Sequence, residues 1–324
     1  MYTYKELREK VELGFQKYCL PDTPCELYNP MRYLLDLNGK RIRPCLLLMG
    51  ANLFVNKIDA FIEQSLAMEV FHNFTLMHDD IMDAAPLRRG MPTVHEKWTT
   101  PIAILSGDAM LVEAYKLLLK MPENQVKPVL ELFNTTATQV CEGQQMDMNF
   151  ETANQVSIDE YLHMIELKTA VLLGASLKMG GILAGTHSTN SDHLYDFGRF
   201  LGVAFQLQDD LLDVYAEPSK FGKQVGGDIL ANKKTYLLIK ALELSKGEVL
   251  KELNHWLGLK AFDPNQKIEA VKEIYNQLNL SELVQIQIQH FHDKALAHLE
   301  SVQVEESRKE ILIELMETLL YRQH

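Results

Sequence analysis

The sequence predicts an all-α fold, and three observations lead there. Apolar residues recur at helical spacing along most of the 324 residues. No series of alternating β-branched segments joined by Asn-Gly or Asp-Gly turns is present. Gly and Pro are scarce, 17 and 11 residues, and they punctuate the chain locally. In chain order, the helical runs are residues 63–83, with Leu66, Met68, Val70, Phe71, Phe74, Leu76 and Met77, then 102–119, 126–148, 158–183, 193–214, 235–245 and 281–320. The breaks fall at 21–24, 38–39, 86–92, 218–227 and 263–264. No compositional shift marks a linker. The whole chain, 1–324, therefore reads as a single domain, a large bundle of about ten or more helices.

Hydrophobic residues make up 47% and charged residues 23%, which suits a globular chain and excludes disorder and collagen-like repeats. The net charge of −12, with no Lys/Arg block, argues against a nucleic-acid partner. An anionic substrate would need a local cluster of cations or bound metal. The four cysteines, Cys19, Cys25, Cys45 and Cys141, form no C-x-x-C pair and read as reduced thiols. Residues 1–17 lack an apolar signal core, and the most apolar stretch, 171–184, is too short for a transmembrane segment. These features predict a cytoplasmic, soluble protein.

The sharpest local feature is His78-Asp79-Asp80-Ile81-Met82-Asp83. On a helix, Asp79 and Asp83 point within about 40° of each other. Such neighbours repel unless a cation sits between them. Pro86 should end this helix near Ala85, and the carbonyl end of a helix favours a cation further. Oxygen-only ligands select a hard ion, Mg²⁺. Asp80 stands a quarter-turn away and is the weaker ligand. The same D-D-x-x-D spacing returns 130 residues later at Asp209, Asp210 and Asp213, again behind an apolar run with Leu201 and Phe205. Two such clusters facing each other could hold several Mg²⁺ ions bridged by a diphosphate. One such cluster alone is a weak signal, because many Asp-rich helix ends are solvated surface.

Basic residues matter by position. Gly39-Lys40-Arg41-Ile42-Arg43-Pro44 puts three cations in one turn, and Arg88-Arg89-Gly90 follows the first Asp cluster. Together they resemble a second anion site that needs no metal. Lys168-Thr169 could add a donor pair, or be a snorkelling lysine beside a core threonine. The 217–232 loop, with Gly222, Gly226, Gly227, Lys220 and Lys223, suits either a lid or phosphate clamp or an ordinary helix connection.

In order, from Gly39 to Thr235, the chain carries G-K-R-I-R-P, H-N-F-T-L-M-H-D-D-I-M-D, L-R-R-G, G-Q-Q-M-D, K-T, F-Q-L-Q-D-D-L-L-D, F-G-K, G-G-D-I and K-K-T. This ordered set resembles the trans-isoprenyl diphosphate synthases of the polyprenyl synthetase family. The resemblance implies an isoprenoid synthase fold around a central cavity, usually a homodimer. It implies Mg-dependent head-to-tail (1′-4) condensation of an allylic diphosphate with isopentenyl diphosphate, with several Mg²⁺ ions, three when substrate is bound. Carried over by position, Asp79, Asp83 and Asp209 bind metal, with Asp80, Asp210 and Asp213 less certain. Arg88, Lys168, Thr169, Gln206, Lys223 and Lys233 contact the allylic diphosphate. Lys40, Arg43, His72 and Arg89 hold isopentenyl diphosphate. Arg322 is the candidate for a C-terminal arginine near that group.

The resemblance also bears on mechanism and product. A departing diphosphate leaves an allylic cation, for which Phe205, Gln206 and the Thr169 hydroxyl offer soft dipoles. The released diphosphate removes the final proton, so His78 reads as a packing or orienting residue rather than a base. Phe74 lies about 7.5 Å before Asp79 along the helix, with Phe71 a turn further. An aromatic at the position of Phe74, followed by Thr75, points to a short product, C20 or C15. A class I terpene cyclase on the same fold is the alternative, but it would have no use for Lys40, Arg43 and Arg89. A metal-dependent phosphohydrolase would need more His ligands than His72 and His95 supply. A non-catalytic partner subunit would be expected to have lost an Asp cluster.

Overall fold

The computed structural model describes residues 1–37, 39–216 and 226–320. In chain order the helices are α1 (Tyr4–Lys17), α2 (Cys25–Asp36), α3 (Ile42–Asn52), α4 (Ile62–Met82), α5 (Val94–Lys97), α6 (Thr100–Leu118), α7 (Glu123–Thr152), α8 (Ile158–Ile165), α9 (Val171–Leu183) and α10 (Ser188–Tyr215). Then follow α11 (Gly227–Leu230), α12 (Tyr236–Leu244), α13 (Gly247–Gly258), α14 (Pro264–Gln277), α15 (Leu280–Glu300) and α16 (Glu306–Leu320). The fold is all-helical, as the sequence predicts. Among the described residues the exception is a hairpin of two-residue strands, β1 (Leu87–Arg88) and β2 (Met91–Pro92). Its turn residues, Arg89 and Gly90, have φ of +54° and +76°, the sign a tight primed turn requires.

The chain forms two compact units. The first comprises Met1–Thr135, Ala175–Tyr195 and Val302–Leu312; the second Thr136–Gly174, Asp196–Ser301 and Ile313–His324. In the first unit, α4 is the central helix, with α1, α2, α3 and α6 packed on it. Eight consecutive residues, Gln64 to Phe71, are buried, so α4 is enclosed on every side over that stretch. Helix α3 is buried from Pro44 to Asn52. In the second unit the core comes from α8, α10, α12, α14 and α15, with Tyr161, Phe197, Leu207, Leu237, Tyr275 and Val284 inside. Among the described residues no helix is long and apolar enough to cross a membrane.

The structure departs from the sequence expectation at punctuation. Helix α4 stops at Met82 rather than near Ala85, because Ala84 adopts φ +48°. The 281–320 run is two helices, interrupted between Glu300 and Glu306. The 158–183 run holds a π-helical turn, Glu166–Ala170, between α8 and α9. Asp263-Pro264, read as a break, is a helix start: Asp263 accepts from the Gln266 amide and Pro264 occupies the first turn of α14. The charged N-terminus is helix α1, opened by a Thr3–Glu6 capping box.

Glycines set the approach of α3 to the Ala175–Leu183 part of α9. A Cβ at Gly180 would lie 2.1 Å from the Leu47 carbonyl oxygen, and one at Gly50 2.5 Å from that of Leu177. Backbone cannot yield as a side chain can. Gly180→Ala should therefore destabilise the protein by about 1–3 kcal/mol in urea unfolding. Gly181→Ala, whose Cβ would meet only side-chain atoms at 3.2 Å or more, should cost clearly less. Equal midpoints for the two variants would contradict this packing account.

Candidate active site

The first acidic cluster lies at the carbonyl end of α4 in the first unit. Asp83 caps the helix, its amide donating to the Asp79 carbonyl at 2.9 Å. The cluster does not act as three equivalent carboxylates. Asp80 is turned inward, 2% exposed, and Arg88 Nε donates to both its oxygens at 2.8 Å. Burial pushes the Asp80 carboxyl upward, and the Arg88 guanidinium opposes that. Arg88 also reaches Asp79 Oδ2 at 3.4 Å. Asp83 is exposed, while Asp79 is half-buried, with its Oδ1 out of contact with solvent.

Beside this end lies a group of cations. Arg43 Nη1 meets His72 Nε2 at 3.0 Å. Burial, and then Arg43, Arg88, Arg89 and Arg41, hold the His72 imidazole well below its usual range. The neutral ring accepts from Arg43. Burial lowers the Arg43 guanidinium to about 10, with Glu69 opposing and Arg89 reinforcing the drop. Arg43 Nε is buried without a hydrogen-bond partner among the described residues. Arg89 is exposed as a residue, yet its Nη1 is fixed on the Leu37 carbonyl at 3.0 Å. Gly39 makes room for it, since a Cβ there would meet Arg89 Nη1 at 2.7 Å. Lys40 is exposed, and Tyr4 donates to its carbonyl. Arg41 differs from its neighbours. It is 5% exposed, in the left-handed region at φ +52°, and neutralised by Glu69 at 2.9 Å and Glu12 at 3.1 Å. Cations that depress one another's ionisation make a ready anion site.

An aromatic row precedes the acidic end. Phe71 packs on Phe133 at 5.0 Å and on Phe74 at 5.6 Å, and Phe74 on His78 at 4.9 Å. His78 Nε2 lies 3.1 Å from the Ile104 carbonyl and presses on Gly107, where a Cβ would be 2.2 Å away. Thr75 spends its hydroxyl on the His72 carbonyl at 2.8 Å.

The second acidic cluster, in the second unit, repeats the pattern of an internal middle carboxylate. Asp210 is 5% exposed; Tyr161 donates to its Oδ2 and Gln206 Nε2 to its Oδ1 at 3.0 Å. Burial and the nearby Asp228 push the Asp210 carboxyl up to about 7, with Tyr161 and Gln206 opposing. Thr169 in turn donates to Gln206 Oε1 at 3.1 Å. Asp209 is half-buried, and Asp213 Oδ2 accepts from the Asp228 amide at 3.0 Å. Lys168 and Thr169 sit on the π-turn, and Lys168 pairs with Asp147 at 2.6 Å. Two glycines permit the turn to be packed so closely. A Cβ at Gly143 would be 2.3 Å from the Lys168 amide nitrogen, and one at Gly202 2.5 Å from Ala170 Cα. Lys233 is exposed, its amide donating to the Asp228 carbonyl at 2.9 Å.

Lys223 and Arg322, and with them Lys220 and Gly222 of the 217–232 loop, lie outside the described residues. Among the described residues no three His, Cys, Asp or Glu side chains form a ready-made metal cage. The first and last carboxylates of each motif are all-oxygen donors in ones and twos. That set suits Mg²⁺, which takes one or two carboxylates and completes its shell with water and substrate phosphate. Sequence reasoning missed Tyr161 and the pairing role of Asp147. Tyr161 lies two helical turns before Lys168, and that spacing was its only signal.

The sequence model of the polyprenyl synthetase family matches residues 24–278. A geranylgeranyl diphosphate synthase of Methanosarcina mazei is 42% identical over 227 residues, 69% of this chain and 70% of that protein. The crystal structure of a geranylgeranyl pyrophosphate synthase superposes with a TM-score of 0.95 at 42% identity, covering 100% of both chains. That of a geranylgeranyl pyrophosphate synthase from Corynebacterium glutamicum, complexed with isoprenyl diphosphate and magnesium, gives 0.84 at 26% identity, covering 99% of this chain and 97% of the other. The chain thus belongs to the polyprenyl synthetase family and is a prenyltransferase with the isoprenoid synthase fold.

Proposed function

We propose that this chain is a short-chain trans-prenyl diphosphate synthase, joining an allylic diphosphate to isopentenyl diphosphate head to tail. The observation that carries the reading is in the first unit. An acidic helix end fit for metal stands next to a cationic group that needs none, and Arg88 contacts the first. One diphosphate is thereby bound through metal and the other directly, which a two-diphosphate reaction requires and a cyclase does not.

Asp79 and Asp83 in the first unit and Asp209 in the second would be the Mg²⁺ ligands, and the metal would neutralise charge on a departing diphosphate. By the family resemblance, Arg88 in the first unit and Lys168, Thr169, Gln206 and Lys233 in the second would contact an allylic diphosphate and orient it; Lys223, given the same role, lies outside the described residues. The allylic C–O bond breaks and its electron pair leaves with diphosphate. The isopentenyl alkene then forms the new C–C bond to the allylic carbon, and a proton goes to the released diphosphate. Lys40, Arg43, neutral His72 and Arg89 hold isopentenyl diphosphate so that the alkene meets the cation, a positioning task. The Asp80 and Asp210 carboxylates serve as internal anchors of their helices rather than as metal ligands. The domain is a single functional enzyme unit, 1–324, acting in the cytoplasm as a homodimer. The apolar face of α6, with Ile104, Leu105 and Val112 exposed, supports self-association. The product is C20 or C15.

The test is a radiolabelled isopentenyl diphosphate assay with C5, C10 and C15 primers. Label should enter a longer allylic product, and chelating Mg²⁺ should abolish it; turnover of an allylic diphosphate alone would overturn the reading in favour of a cyclase. Asp79→Ala and Asp209→Ala should each lower kcat about 100-fold or more. Asp80→Asn should act mainly by loosening Arg88, with a loss at least about tenfold smaller than Asp79→Ala. Phe74→Ala opens the aromatic row and should lengthen the product by one or more isoprene units in chromatographic sizing. An unchanged product length would place the ruler elsewhere.

A further inference from the structure

Helix α14 carries a lysine that breaks three ordinary rules. Lys267 is fully buried, 0% exposed. It lies in the first turns of a helix, where the macrodipole disfavours a cation. No carboxylate is within ion-pair distance of it among the described residues. Its Nζ instead donates to Asn232 Oδ1 at 2.7 Å and to the Leu230 carbonyl at 3.3 Å, and stands 4.2 Å from the Phe262 ring centre. A buried ammonium whose described acceptors are neutral is costly, and such costs are tolerated where a polar segment must be held in one place.

The segment it holds is the one that meets the second acidic motif. The Leu230 carbonyl belongs to the last turn of α11, whose negative end a cation stabilises. Asn232 sits in the left-handed region at φ +52°, and its amide group also donates to the Leu257 carbonyl at 3.1 Å. At the other end of α11, Gly226 and Asp228 donate their amides to Asp213, to its backbone oxygen at 2.6 Å and its carboxylate at 3.0 Å. Gly226 must be glycine twice over: its φ is +85°, and a Cβ would strike Ile268, the neighbour of Lys267, at 2.7 Å. Lys272, further along α14, lies over the Tyr215 ring at 5.2 Å, two residues beyond Asp213.

We propose that Lys267 is a positioning residue for the prenyl-transfer site: through Asn232 and Leu230 it fixes residues 226–233 against Asp213, and so sets where Lys233 stands. The inference deepens the proposed reading of the second motif and rests on it for its kinetic part only. Replacing Lys267 by Met, an apolar chain of similar length, removes the hydrogen bonds and keeps most of the volume.

The experiment compares the full-length protein with Lys267→Met. Amide hydrogen exchange, read by mass spectrometry without substrate or metal, should speed up about tenfold in peptides covering 226–235 and stay unchanged across 62–82. In steady state, KM for the allylic diphosphate should rise about tenfold while KM for isopentenyl diphosphate stays within about twofold. Unchanged exchange at 226–235, or equal rises in both KM values, overturns the proposal. Asn232→Gly removes the acceptor but keeps the left-handed backbone, and should reproduce the selective exchange. It decides the matter if Lys267→Met does not fold. Should the wild-type protein lack prenyl transfer, the proposed function fails, while the exchange result still stands or falls on Lys267.

Discussion

Crowding of like charge is the constraint on which the functional end of this protein depends. A chain of net charge −12 must receive highly charged anions. In the first unit it does so by burying Arg43 against His72 with Arg89 nearby; burial first, and then these cations, hold the His72 imidazole neutral. That arrangement is unfavourable by itself and becomes favourable when an anion enters. Arg41 shows the contrast. It lies in the same turn of sequence but is neutralised by Glu69 and Glu12, and so serves the fold.

The acidic motifs obey the same constraint with the sign reversed. Three carboxylates per motif would repel strongly, and each motif withdraws its middle member into the interior. Arg88 takes Asp80; Tyr161 and Gln206 take Asp210. What remains are the first and last aspartates, half-buried except for the exposed Asp83 and spaced for a shared cation. The hydrogen-bonded line from Thr169 through Gln206 to Asp210 and Tyr161 ties a π-turn, a half-buried glutamine and a buried carboxylate into one network. Satisfied networks of this kind rigidify the groups they join.

Much of this was legible in the sequence. The helical period, the doubled D-D-x-x-D and the ordered motifs gave the fold class and the family, because helix geometry fixes which residues share a face. What a residue faces is not in its spacing. Nothing in D-D-x-x-D says that Asp80 and Asp210 point inward, since that depends on Arg88 across a hairpin and Tyr161 on another helix. Prolines misled where they begin helices: Pro264 looks like a breaker and is the first residue of α14. Lys267, on a polar-looking helix, carries no local mark of burial, because the segment it supports is thirty-five residues away.

The central claim is that one diphosphate binds to cationic side chains without metal, while binding of the other depends on metal. Calorimetric titration tests it most directly, using isopentenyl diphosphate and an unreactive allylic thiodiphosphate, each with Mg²⁺ and with chelator. The account predicts that isopentenyl diphosphate binds with similar Kd in both conditions, and that the allylic analogue binds only with Mg²⁺. Loss of both on chelation, or retention of both, would contradict it.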